Sequence, residues 1–417
     1  MKRIAFLLLC VVATGAAAQS TLNLEAEIAP GYRFNVFNSP EDYVRTPGDT
    51  LFADSLLVND AFLYGKFSAN VKWKRGIHRF RLETDAEILR YQNTPSAHAT
   101  ELQGQLKYDR RASSDGRQGA SLRLRKQDRL GLNVLGSELL TPFSFWQAAG
   151  TGYVLWKNPA DHTFKLEAAY SYKDYQACDG CGQQGENVAL DQHEWSIEAQ
   201  RVWLLGRAHE AKRTLALSVR YRDRQYTDWF NYDLLDDAAD PLAPTPFLPF
   251  DSLGQYPARA WRYVVGKFTW NLPVAEGIEV KPMLEYTRRW DVSEGDFGFH
   301  QYQPGVYVYL QRGVWSAKLH TSYTLRNYTD RLAKQDTPTP FPTLTYTYLR
   351  NSLRIDRALG QEWFLWGEVT SANRTSNTSA IDTRVRRSYR NGGVMVGVTW
   401  SWEGERTRRT TKVYTDQ

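Results

Sequence analysis

The residues of this chain with most capacity for chemistry are charged and spaced by two. Arg220, Arg222 and Arg224 alternate with Tyr221 and Asp223, and Arg123 and Arg125 follow Leu122 and Leu124 in the same way. Arg350 and Arg354 flank Ser352, Arg81 precedes Glu83 by two, Lys281 shares the parity of Glu285, and Lys66 shares that of Ser68 and Asn70. An extended strand sends alternate side chains to opposite faces, so each of these groups is expected to occupy one face. Glu83, Glu87, Glu198 and Glu285 offset the basic residues. Two outcomes suit such a charged face. Rings of charge around a water-filled lumen set ion preference through their field and the narrowing they cause. The same groups can instead pair into a structural network that fills the lumen.

Other chemistry-bearing residues point elsewhere or nowhere. Cys178 and Cys181 sit in Ala-Cys-Asp-Gly-Cys-Gly, and in an exported chain they read as a small disulfide pinning a loop tip. A redox motif would want a βαβ context, and a metal site would want two further ligands, for which only His193 and Asp179 lie near in sequence. Asp236, Asp237 and Asp240 lack the spacing of a calcium loop. His300 has outward parity with Asn327 expected beside it, but no serine of matching parity and height, while His320 and Ser322 share an inward face. The chain therefore reads as a non-enzyme with no cofactor and no metal.

The elements that must position these residues are two-faced strands. In the stretch from Asn391 to Trp402, Val394, Val396, Val398, Trp400 and Trp402 share one face, and Gly393, Met395, Gly397, Thr399 and Ser401 share the other. Apolar outside and small or polar inside is the pattern of a strand between lipid and a wet lumen. It recurs at roughly 25-residue spacing through the chain, as in Phe80, Leu82, Thr84, Ala86 and Ile88 against Arg79, Arg81, Glu83, Asp85 and Glu87. Short turns, at Arg75-Gly76, Asn158 to Asp161, Val274 to Gly277, Arg312-Gly313 and Leu359-Gly360, alternate with long loops at 38–60, 174–192, 228–258, 328–342 and 374–390. Trp73, Trp156, Trp203, Trp270, Trp315, Trp363 and Trp402 collect at the short-turn ends, as an interfacial aromatic belt requires. Trp195, Trp229, Trp261 and Trp290 are expected to serve the opposite belt. The expected fold is all-β, a transmembrane antiparallel up-and-down barrel of about 16 strands (14–18). Leu130 to Pro142, apolar without clean alternation, is expected as a short helix or an inward-folded loop.

The ends and the composition agree with export to a membrane. Lys2 and Arg3, the apolar run Ile4 to Val12 and the small residues Ala16, Ala17 and Ala18 read as a secretory signal over 1–18, with the barrel over 19–403. A polar, basic tail over 404–417 is expected to lie in the periplasm. Beyond the signal no apolar run reaches the roughly 20 residues of a helical span. Aromatic residues make up 13% of the chain, natural for two interfacial belts, and a net charge of +6 gives no ground for a nucleic-acid partner.

The signal, the alternating segments and the tryptophan belt resemble the porin-like outer-membrane β-barrels of Gram-negative bacteria, and the Gln19 start and extended loops look like the barrels of Bacteroidota-type organisms. The resemblance implies outer-membrane lipid and the barrel-assembly machinery as partners. With no plug ahead of the first strand, a plugged transporter is not expected. Two functions follow: a passive channel for small hydrophilic solutes, or a closed barrel whose long loops bind a surface partner.

Overall fold

In the computed structural model the described residues are 19–36, 44–46, 49–51, 57–132, 140–142, 144–175, 191–208, 211–230, 258–292, 297–333, 342–377 and 388–403. The signal segment 1–18, the tail 404–417, Cys178, Cys181 and the acidic loop around Asp236 lie outside them. The barrel strands are β1 (Gln19–Phe34), β2 (Asp60–Arg75), β3 (His78–Tyr91), β4 (Ala99–Arg111), β5 (Gly116–Leu132), β6 (Phe145–Lys157), β7 (Thr163–Tyr175) and β8 (Gln192–Ala208). They continue as β9 (Ala211–Phe230), β10 (Ala258–Ala275), β11 (Ile278–Asp291), β12 (Phe299–Arg312), β13 (Trp315–Leu332), β14 (Thr343–Ala358), β15 (Trp363–Ser376) and β16 (Tyr389–Glu403).

Each strand pairs antiparallel with its sequence neighbours, and β1 also pairs with β16, from Asn23 opposite Glu403 to Phe34 opposite Gly392. The described residues thus form a closed, up-and-down barrel of sixteen strands. Closure satisfies every strand edge, which is what lets a sheet sit in hydrocarbon. The short connections carry the backbone the sequence suggested. Gly76, Gly277 and Gly313 all have positive φ, and Gly277, at +68°, lies so close to the Gln311 backbone that a side chain would strike it.

The alternation resolves into an outer and an inner surface. Ile28, Phe67, Leu122, Leu124, Val219, Leu284, Val369 and Val396 are exposed on the outer wall, while their strand neighbours of opposite parity, Arg220 excepted, are half-buried or buried. A glutamate at Val219, which is 50% exposed on that wall, is expected to cost about 2 kcal/mol, since a charge there meets hydrocarbon. The shift of the unfolding midpoint of Val219→Glu in lipid vesicles measures it, and an unchanged midpoint would place Val219 off the lipid face. At the short-turn rim Trp156, Trp315 and Trp363 are exposed, and Trp73 and Trp156 stack on Phe80 and Phe164 with centroids 5.4 and 5.5 Å apart.

Two expectations are corrected. Trp261 is not in the loop-side belt: it is 7% exposed, packs with Tyr226 and Tyr263, and has the parity opposite to its outward neighbours Val264 and Gly266. Trp195 and Trp290 do face outward there, as does Trp146, and the Trp229 side chain lies outside the described residues. Nor are the described ends of the 130–142 stretch helical. Leu130, Gly131 and Leu132 extend β5, and Leu140–Pro142 turns back to pair with them. The two ends of the apolar run thus prolong the sheet, and 133–139 lie outside the described residues.

Candidate functional site

The charged inward residues fall into separate groups around the wall. On the β1–β5 side Lys66 meets Glu87 at 3.3 Å, Arg81 and Lys107 share Glu83 at 3.2 and 2.7 Å, and Arg125 meets Glu101 at 2.7 Å. Arg123 is inward on β5, and Lys281 is inward on β11 opposite Tyr307. Arg350 lies beside the Tyr348 ring on β14. Arg354 donates to Glu27 at 3.0 Å and Asp356 at 2.9 Å and stacks over Trp366. The arginines of β5, β9 and β14 therefore do not form one strip. Three strands separate β5 from β9, and four separate β9 from β14.

What the fold does assemble is a basic, aromatic cavity across β9 to β13. Its volume is about 350 Å³, and Arg220, Arg222, Arg224, Tyr263, Val265, Glu285, Thr287, Arg289, Phe299, Gln301 and Arg326 line it. Strand register builds it in two lateral rows. Arg222 lies opposite Tyr263, Tyr263 opposite Arg289, and Arg289 opposite Phe299. One step toward the short turns, Arg220, Val265, Thr287, Gln301 and Arg326 are successive partners across the same five strands. Glu285 follows in the next row, between Lys267 and Gln303. Side chains directly opposite across a strand pair stand about 5 Å apart, so rows of this kind bring groups distant in sequence into one patch.

The five arginines are not equivalent. Arg220 is bound to Glu198, and Arg224 holds Glu194 at 2.7 Å, with Arg222 also near Glu194 at 3.7 Å. Both glutamates come from β8, the strand hydrogen-bonded to β9. Arg289 and Arg326 have no carboxylate at ion-pair distance among the described residues. Arg289 donates from Nε to the Phe297 carbonyl at 2.6 Å, and Arg326 donates from Nε and Nη2 to Gln301 Oε1 at 2.9 and 2.7 Å. Aromatic faces hold both guanidiniums: Arg289 lies 4.2 Å from the Trp261 centroid and 4.3 Å from Phe299, and Arg326 lies 4.5 Å from Phe299. A guanidinium stacked this way, with its Nε edge already bonded, has its remaining Nη donors held in a fixed plane.

Of the residues chosen from sequence spacing, Arg220, Arg222, Arg224 and Glu285 belong to this cavity, and Lys66, Arg81, Glu83, Arg123, Arg125, Lys281, Arg350 and Arg354 do not. Arg289 and Arg326 were missed as site residues. Each has inward parity, but neither belongs to a run of alternating arginines like that of β9, so only cross-strand register reveals their company. His300 faces outward, its Nε2 accepting from Arg288 and its Nδ1 2.8 Å from the Tyr286 hydroxyl, with Asn327 opposite it. His320 stacks on Tyr307 with centroids 4.1 Å apart.

No known protein family matches the sequence, and no curated protein matches it. Solved structures of similar shape include OccAB3 of Acinetobacter baumannii, at 8% identity and a TM-score of 0.48, covering 92% of this chain and 99% of that one. The anion-selective porin of Comamonas acidovorans matches at 12% identity and a TM-score of 0.41, covering 92% and 100%. The alcaligin outer-membrane receptor FauA of Bordetella pertussis matches at 8% identity and a TM-score of 0.40, covering 92% and 76%. The likeness is one of overall barrel shape.

Proposed function

We propose that the protein is an outer-membrane channel that passes small hydrophilic solutes. The observation that carries this reading is the lumen itself: sixteen strands enclose an interior lined by charged and polar side chains, with a cavity of about 350 Å³ on its wall. Barrels of eight strands fill with their own side chains, whereas about sixteen leave an aqueous path. An apolar outer wall with a tryptophan rim suits the bilayer, and closed barrels of this kind belong to the outer membrane of Gram-negative bacteria. Lys66, Arg81, Glu83, Arg123, Arg125, Lys281, Arg350 and Arg354 line the path outside the cavity, and the ion pairs of Lys66, Arg81, Glu83, Arg125 and Arg354 stiffen the wall.

Single-channel recording of the purified, refolded protein in a planar bilayer tests the reading. Stepwise openings are expected, with a reversal potential of anion-preferring sign in a salt gradient, because Arg289 and Arg326 meet no carboxylate among the described residues. A folded, heat-modifiable barrel that never conducts would overturn it. The reading then left in front is a closed barrel that binds a surface partner through its loops. One observation favours that second reading: Phe62, Tyr91, Phe145, Phe299 and Tyr346 are buried toward the loop end of the lumen, where they narrow it.

A further inference from the structure

The cavity across β9 to β13 holds an imbalance of charge with a definite position. Its five guanidiniums face three carboxylates, namely Glu194 and Glu198 behind the β9 arginines and Glu285 in the lining. Glu194 and Glu198 already hold Arg220, Arg222 and Arg224. Three arginines share those two carboxylates, while Arg289 and Arg326 form no ion pair with Glu285 and stand without a counter-charge among the described residues. Arg289 is only 8% exposed and Arg326 is half-buried. Leaving a cation this far from bulk water without a counter-charge is costly, and an incoming anion would recover that cost.

We propose that this cavity is a binding site for a small solute bearing one oxyanion group, a carboxylate or a phosphate, gripped by the donor forks of Arg289 and Arg326. The proposal deepens the channel reading and rests on it for the route by which a solute arrives. Three features select the ligand. The rings of Trp261 and Phe299 fix the planes of the guanidiniums, which favours bidentate recognition of planar or tetrahedral oxyanions. A volume of about 350 Å³ sits near the small end of ligand sites. Glu285, in the row next to Thr287 and Gln301 on the short-turn side, repels a second negative group and so favours a single charge. Arg220, Arg222 and Arg224, the arginines that sequence spacing makes conspicuous, are held by their glutamates and shape the wall.

The test is isothermal titration of the detergent-folded protein with sodium acetate and, separately, with inorganic phosphate, beside conductance recording of the same preparation. Saturable binding is expected with both probes. Arg289→Gln and Arg326→Gln are each expected to weaken it at least about tenfold, equivalent to about 1.4 kcal/mol. Arg326→Lys, which keeps the charge and loses the fork, is expected to weaken it less than Arg326→Gln does. Glu285→Gln is expected to tighten phosphate more than acetate, because phosphate carries the larger charge near neutral pH. Heat-modifiable gel mobility verifies that each variant folds. A conducting protein that binds neither probe, or binding indifferent to both arginine substitutions, overturns the site and leaves the channel reading standing. Arginine-dependent binding by a protein that never conducts overturns the channel reading and leaves the site. Saturation by phosphate alone would identify phosphate as the group recognised, and by acetate alone, carboxylate.

Discussion

Replacing Arg354 with methionine is expected to destabilise the barrel by about 3–5 kcal/mol, the cost of stripping the counter-charge from buried ions. Arg354 donates to Glu27 on β1 and to Asp356 on its own strand, and the exposures of those carboxylate side chains are 8% and 10%. Thr399 on β16 donates to the same Glu27 oxygen at 3.0 Å. One guanidinium thus ties β14 to the seam where the barrel closes. Without it two carboxylates remain in the lumen wall with one hydroxyl between them. Urea titration of the refolded protein measures the loss. The double variant Arg354→Met with Glu27→Gln is expected to regain part of it, since one of the unpaired charges is then gone. A loss below about 1 kcal/mol in the single variant would mean that this cluster is solvated by lumen water, as ordinary surface pairs are.

The second large effect is expected at Gly397. Valine there should prevent proper closure, at a cost of roughly 3 kcal/mol or more, the upper end of overpacking. A β-carbon at Gly397 would stand 2.6 Å from Trp366 Cζ2, 2.7 Å from Ala29 Cβ and 2.7 Å from the Ile28 carbonyl oxygen. Trp366 is 2% exposed, with Arg354 above its ring, and Ala29 is fully buried. The tryptophan could move only into Arg354, and the Ile28 oxygen belongs to the β1 backbone paired with β16. Gly266, around whose position a β-carbon finds open space, supplies the contrast: Gly266→Ala is expected to be tolerated. Heat-modifiable mobility of the two refolded proteins separates them. Equal recovery of the compact form by Gly397→Val would show that the seam between β1 and β16 adjusts by backbone movement.

Both effects lie at the closing seam, and neither is visible along the chain. Glu27 and Arg354 are more than three hundred residues apart. In the sequence Arg354 resembles any other inward arginine, and it reads as one more group facing the water of a pore. The barrel converts it into a buried tie because β14, β15, β16 and β1 are lateral neighbours. Arg289 shows the reverse case: an arginine with nothing in its local spacing to single it out, between Arg288 and Trp290, becomes part of a cavity because β10 and β12 bring Tyr263 and Phe299 beside it.

The sequence by itself determined the barrel, its strand segments, the even strand count, the side bearing the short turns and the inward or outward sense of most residues. The physical reason is that a strand in a membrane has only two faces with opposite solvents, so a period of two is imposed locally and can be read locally. Where that reading failed it did so for local reasons as well. Trp261 was assigned by its residue type against its own parity, and the two ends of the 130–142 stretch pair as strand where a helix or an inward-folded loop was expected. Only the tertiary structure decided which charges neutralise one another. Arg220, Arg222 and Arg224 meet Glu194 and Glu198 on the adjoining strand, Arg354 meets Glu27 across the seam, and Arg289 and Arg326 meet no carboxylate among the described residues. Lateral register sets those partnerships, and a one-residue slip between two strands would change all of them while leaving each strand's own pattern intact.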